Sequence, residues 1–223
     1  MAITNTALAG ALSTVDGTSW NSASITPTGN TVVIAAFASR RAGSAPSDAH
    51  TISGNGLTWT KIVSGAGTRV RITLWWGIAA SPTTGVITFG SGETNTHAAW
   101  SVSEFPGANI TTPIVQSPAA STGTNTTVTI TLSAFGSADN AAFGFFNHFA
   151  NEVTTEGTGF TEIHDNTTAE NTQAYQTEWK LNDATVDASW ATSSEYVALA
   201  LEIGAAAAAV TTRRYSLPLT GVG

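Results

Sequence analysis

Cysteine is absent from this 223-residue chain, and charged residues make up only 10% of it, against about 25% in an average globular domain. The first absence removes disulfide frameworks, thiol nucleophiles and cysteine-bound zinc. Basic residues are scarce as well. With 8 Lys/Arg against 15 Asp/Glu the net charge is −7, which argues against a nucleic-acid-binding surface. No apolar run approaches the roughly 18 residues of a membrane helix. The N-terminus, from Met1 to Gly10, has no positively charged segment of the kind that opens a signal peptide. Synthesis in a cytoplasm, away from membranes, is the expectation. Long helical patterns are missing too, because Thr, the commonest residue at 38 copies, and 21 Gly are spread throughout and both disfavour helix interiors.

What the chain does have is short runs of Val, Ile, Thr, Phe and Trp between Gly, Asn and Ser clusters, the mark of an all-β protein. Arg69 to Ile78 alternates cleanly: Val70, Ile72, Leu74, Trp76 and Ile78 share one face, and Arg69, Arg71, Thr73 and Trp75 the other. Val128, Ile130 and Leu132 alternate in the same way. Val32 to Phe37 and Ala141 to Phe146 are apolar on both parities and read as central strands covered on both sides. These runs recur in the same order at a spacing of roughly 100 residues. Thr31–Ala38 matches Asn140–Asn147, Gly56–Ile62 matches Gly159–Ile163, Ile72–Ile78 matches Tyr175–Leu181, Val86–Phe89 loosely matches Val186–Trp190, and Ala99–Gly107 matches Val197–Gly204. One half alone would leave a sheet face bare. The expectation is therefore one antiparallel β-sandwich domain of jelly-roll type over residues 1–204. It is built from two pseudo-repeats of four to five strands, about 20–107 and 127–204, and followed by an extended C-terminal tail, 205–223. The charge is uneven along this plan. Residues 111–204 hold one Lys and eleven Asp/Glu, whereas the tail adds only Arg213 and Arg214. A basic tail docking on an acidic patch of a neighbouring subunit is one reading of that asymmetry; plain solubility is the other.

The blocks Gly56-Leu-Thr-Trp-Thr, Leu74-Trp-Trp-Gly-Ile and Val102-Ser-Glu-Phe-Pro-Gly107 resemble β-sandwich modules of tailed-phage structural proteins and of bacterial proteins without a described function. The C-terminal Arg213-Arg-Tyr-Ser-Leu-Pro-Leu-Thr-Gly-Val-Gly223 resembles the ends of small phage virion proteins. The resemblance implies a virion component, such as a capsid decoration (cement) protein or a tail or fibre module. It carries no catalytic residues.

Chemistry-bearing residues give no recognisable signature. Glu104 and Glu202 occupy matching repeat positions. As a carboxylate pair they would suit glycoside hydrolysis if about 5–10 Å apart, but repeat equivalence points to a shared structural role. His50, His97, His148 and His164 lack metal-ligand spacing. Glu162, His164 and Asp165 form one acidic loop cluster, and Asp183 and Asp187 bracket another turn. Either would offer oxygens to Ca²⁺, and neither has a dedicated loop pattern. No Gly-x-Ser-x-Gly elbow or phosphate-binding loop occurs.

The reading is of a non-enzymatic virion structural protein without metal or cofactor, made in the host cytoplasm and placed on the capsid surface. It would stabilise the shell as a homo-oligomer against the major capsid protein or other virion subunits. The residues expected at its interfaces are Arg213, Arg214, Tyr215, Leu217 and Leu219 of the tail, with Arg69, Arg71 and Trp75 if their shared strand face is an outer one; the alternative is a second covered face. The alternative is a carbohydrate-binding, lectin-like module of a phage tail, fibre or bacterial adhesin, stacking a glycan on Trp20, Trp59 or Trp75.

Overall fold

The computed structural model describes residues 1–167 and 173–207. Among them there is no helix, and the strands pair antiparallel throughout. The first half contains β1 (Thr6–Ser13), β2 (Gly17–Asn21), β3 (Val32–Arg40), β4 (Thr51–Gly54), β5 (Thr58–Ala66), β6 (Val70–Ile78), β7 (Ile87–Asn95) and β8 (His97–Phe105). After β9 (Ile114–Gln116), the second half contains β10 (Ser121–Thr131), β11 (Ala141–His148), β12 (Thr155–Glu156), β13 (Thr161–Thr167), β14 (Ala174–Leu181) and β15 (Thr185–Ile203).

The first half folds into a five-stranded sheet, β1-β8-β3-β6-β5, and a three-stranded sheet, β2-β7-β4. The second half repeats this plan with fewer breaks. Its main path runs β10-β15-β11-β14-β13, so β15 and β11 take the places of β8 and β3. The small sheet is made without separate strands. The C-terminal part of β10, Thr127–Thr131, pairs with the opening residues of β15, and β12 pairs with β15 at Ala188 and Ser189. One long strand therefore does the work that β7 and β8 share in the first half.

The register equivalence is detailed. Val33 lies opposite Glu104 and Gly77, just as Ala142 lies opposite Glu202 and Lys180. A bulge falls at Ile62 in β5 and at Ile163 in β13, the same place in both halves. Each bulged Ile packs on the central core. An extra residue re-aims the strand beyond it, so both edge strands bend alike toward the opposite half.

Three apolar clusters hold the layers. The central one lies between the two large sheets. It takes Val32, Ile34, Ala36, Val70, Ile72 and Leu74 from the first half, and Ala141, Phe143, Phe145, Tyr175, Leu199 and Leu201 from the second. A second cluster, with Val33, Phe37, Trp75, Phe89 and Trp100, fills the space between the five-stranded sheet and its small sheet. A third, with Phe146, Phe160, Val186 and Trp190, does the same for the second half. The all-apolar runs of β3 and β11 are explained by this layering, because each strand serves a core on both faces. Each fully buried Leu, Ile or Phe contributes about 1.5–3 kcal/mol of transfer free energy. The single inter-sheet core expected from the sequence is present, and each half adds a core of its own.

The halves meet reciprocally. β1 packs on β13, and β5 packs on β15. Gly10 of β1 lies against the His164 ring, where an added Cβ would stand 2.3 Å from it. Gly10 is opposite Ser101. Its counterpart is Ala120, which directly precedes Ser121 of β10, the residue opposite Ala198. Ala120 lies against Gly65 of β5, where an added Cβ would stand 2.0 Å from the Ala120 Cβ. Gly10 and Ala120 thus make the close approach from equivalent positions on the two sides of an approximate two-fold axis, while their partners differ by two residues, since His164 matches Val63 rather than Gly65.

Candidate functional site

Strand parity decides where the candidate side chains go. Trp75 was expected on an outer face with Arg69 and Arg71, but it is only 3% exposed, in the core beneath the small sheet. The outer parity of β6 is covered, because β2, β7 and β4 form a layer that the strand pattern of β6 does not reveal. Trp20 is buried in the same core and donates its indole N–H to the Val15 carbonyl. Trp59 is half-buried over Gly77. No stacking face of Trp20 or Trp75 is left for a glycan. Arg71 donates to the Pro46 carbonyl and to Ser64 and stands 3.4 Å from Asp48, so it ties the segment before β4 to β6. Arg69 lies over the Phe149 ring, 4.5 Å from its centroid, and 3.8 Å from Glu195. Arg40 covers the same ring at 5.0 Å. The two guanidiniums and Glu195 therefore join the halves, a contact no sequence motif announces. Arg213, Arg214, Tyr215, Leu217 and Leu219 lie outside the described residues.

Glu104 and Glu202 are both buried. Glu104 holds backbone, and Glu202 holds two side-chain amides. The Thr28 N–H donates to Glu104 at 2.6 Å. Asn140 and Gln116 donate their amides to the two oxygens of Glu202 at 2.6 and 2.5 Å. Neither carboxylate faces an opening, so the shared structural role is the one realised. The Glu162, His164, Asp165 cluster is divided by strand alternation. His164 turns into the inter-half core and bonds Ser101 at 2.9 Å, while Asp165 turns to the opposite face of the strand and accepts from the Thr154 N–H at 3.1 Å. Among the described residues no three His, Asp or Glu side chains gather closely enough to hold a metal ion.

Two polar clusters were not foreseen. Ser39 in β3 and His148 in β11 occupy equivalent positions, as the shared register shows. His50, just before β4, has its Nε2 2.7 Å from Ser39 Oγ and its Nδ1 2.9 Å from Thr73 Oγ1. In the second half the imidazole and hydroxyl change places. His148 Nδ1 accepts from the Ala150 N–H, which puts its proton on Nε2, and that nitrogen meets Thr154 Oγ1 at 3.0 Å, just before β12. Each half thus fastens its small sheet to its large one by a buried imidazole–hydroxyl pair. The pairing of Ser39 with His50 is that of a nucleophile and base, but all its members are enclosed. The second cluster surrounds Glu178, which stands where the first half has Trp75. Glu178 is fully buried, and only one of its oxygens has a partner, the Gly157 N–H at 3.0 Å. The repeat alignment pairs it with Trp75, and the exchange becomes conspicuous only once Trp75 is found in the core.

Burial drives these groups away from their ordinary proton affinities. It lowers His50 to about 3, with Arg71 adding to the effect, and lowers His148 to about 4. It raises Glu178 to about 8, helped by Asp187 and Glu156, and raises Asp165 to about 7, helped by Glu162 and Glu156. The histidines bind protons in the unfolded chain from about pH 6.5 downward but not in the folded one, so their stability is lost as pH falls toward 3–4. The acids are raised, so their stability is present at about pH 4 and is lost as pH rises to 7–8. The expected profile of melting temperature is a plateau between about pH 5 and 6.5 with declines on both sides. Calorimetry from pH 3 to 9 checks it, and a flat alkaline limb would show the two carboxyls to be hydrated.

One concavity opens at the seam, a groove of about 300 Å³ lined by Ala66–Thr68, Thr122–Thr124, Glu195 and Tyr196. Its acid is already engaged, because Glu195 accepts from the Thr68 N–H and hydroxyl. Compared with known families, curated proteins and solved structures, the chain matches none.

Proposed function

We propose that the protein is a non-catalytic structural component of a virion, of the capsid decoration or cement type, which binds its shell through the body described above and the C-terminal tail. Each half reads as a jelly-roll unit in which the fifth strand has joined the larger sheet, and the two units pack as an internal pseudo-dimer. The observation that carries the reading is the commitment of the reactive-looking side chains to holding this body together. Glu104, Glu202, His50 and His148 each bind a backbone N–H, side-chain amides or a hydroxyl inside the fold. A rigid body of this kind suits a load-bearing role across subunit seams, where symmetry multiplies a modest contact. The resemblance of the strand blocks and of the tail to phage structural proteins supports the same placement. The glycan-binding alternative keeps one point in its favour, the hydroxyl-lined seam groove beside Tyr196.

The experiment is removal of residues 211–223. The truncated chain is expected to remain folded, because the described residues by themselves form three apolar cores. It is also expected to lose self-association and binding to shells. Glycan binding that persists in the truncated chain would favour the alternative.

A further inference from the structure

β10 closes one edge of the second half, because among the described residues it pairs with β15 and with no other strand. Over Thr127–Thr131 its parity is fixed. The Leu132 N–H donates to the Ala184 carbonyl, just before β15. Val128 and Ile130 therefore also turn their backbone groups toward β15, and Thr127, Thr129 and Thr131 turn theirs outward. Side chains bound this row at both ends. Gln116 donates to the Ser133 carbonyl and accepts from the Ser133 N–H, and Asn125 accepts from the Thr126 N–H. Between these caps the outward N–H and C=O groups meet no neighbouring strand among the described residues.

An open row of this kind is a template for another strand, and the other edges are blunted. β13 carries Glu162 and Asp165, β5 carries Lys61, and β4 and β12 are short. β1 and β2, which correspond to β10 in the first half, are separate strands with Asp16 between them. β10 instead lies in a stretch without charge. No Asp, Glu, Lys, Arg or His occurs between Glu104 and Asp139, whereas eleven acids follow from Asp139 to Glu202.

We infer that β10 of one copy pairs antiparallel with β10 of a second copy, two-fold about Thr129, so that their second halves share one continuous sheet.

The inference rests on the self-association proposed above and names a surface for it. The run Thr127-Val-Thr-Ile-Thr131 is its own complement. With Thr129 opposite Thr129 of the second copy, Val128 meets Ile130 on the face toward the third core. Thr127 meets Thr131 on the outer face, where all three threonines are exposed. Every residue of the run is β-branched, the kind that packs best across a pleated pair. Two acidic copies can meet here without apposing like charges. The nearest acid is Asp187, beside Thr129. Three strand spacings, about 14 Å, would separate it from its copy, more than the Debye length of about 8 Å at physiological ionic strength. So short a row buries far less than the roughly 1,000 Å² of a lasting interface. It therefore adds to the tail contacts and does not replace them.

The absence of cysteine permits a direct test of the register. At the two-fold centre the Thr129 Cα atoms would stand about 5.5 Å apart, within the span a disulfide bridges. Under an added thiol oxidant the full chain carrying Thr129→Cys is expected to form covalent dimers. Thr131→Cys alone is not, because its two copies would lie about 14 Å apart. Mixing Thr127→Cys chains with Thr131→Cys chains should restore the cross-link. Thr129→Lys sets lysine against itself at the centre and should weaken self-association about tenfold. Cross-linking of Thr129→Cys no faster than that of Thr131→Cys would overturn the inference, as would self-association unmoved by Thr129→Lys. Oligomers that fail to cross-link at 129 would sink this pairing and leave the tail contacts standing, whereas monomers throughout would contradict both.

Discussion

Gly65→Ala is expected to destabilise the protein by about 2 kcal/mol or more, an overpacking cost at the upper end for one added methyl group. The reason lies in the seam between the halves. A Cβ on Gly65 would stand 2.0 Å from the Ala120 Cβ, far inside van der Waals contact, and both atoms belong to short residues, one in β5 and one at the start of β10 in the facing sheet. No flexible side chain is available to move aside. The strands must separate, and separation loosens the central core at Leu199, which lies 3.8 Å from the same point. The test of this explanation is compensation. Ala120→Gly alone removes a half-buried methyl group at modest cost. In the Gly65→Ala, Ala120→Gly pair the methyl simply changes sides, so the pair should recover most of the loss in denaturant midpoint. A double variant as unstable as the sum of the singles would mean that the two positions do not touch, because coupling of this kind appears as non-additivity.

The second large effect is at Trp75. Truncation to Ala should cost about 3–5 kcal/mol, as for other buried aromatic residues. The side chain is 3% exposed and shares its core with Phe37, Phe89 and Trp100, with Phe37 stacked on Phe89 at 5.1 Å. A surface tryptophan used for partner or glycan recognition would behave differently, with stability kept and binding lost. Urea unfolding of Trp75→Ala separates the two cases, and a change below about 1 kcal/mol would return Trp75 to the surface.

These two positions also show how far the sequence can be read. The alternation of β6 places Val70, Ile72 and Leu74 on the inter-half core, where they are found. The double-sided runs of β3 and β11 announce strands covered on both faces. The order of repeat blocks survives as the strand order of both halves. What alternation leaves open is the identity of the layer that covers the second parity. β2 and β4 are short and polar on their outer side, so nothing in them announces that they shield Trp75. The extra residues at Ile62 and Ile163 are equally silent, because a bulge leaves no mark on composition. At the site, the matching positions of Glu104 and Glu202 point correctly to a structural role. The Ser39–His50 and His148–Thr154 pairs escape notice because the imidazole and hydroxyl change places between the halves. Glu178 escapes because a glutamate within an alternating strand reads as solvent-facing until its counterpart, Trp75, is known to be inside.

Assembly is the proposed work of this protein, and its buried polar groups hold the body together. The most direct measurement is the mass in solution of the full chain beside a chain ending at residue 207, by light scattering at matched concentrations. An oligomer that becomes a folded monomer on truncation is the predicted result. Folded monomers in both preparations, with no association with shells by the full chain, would contradict it.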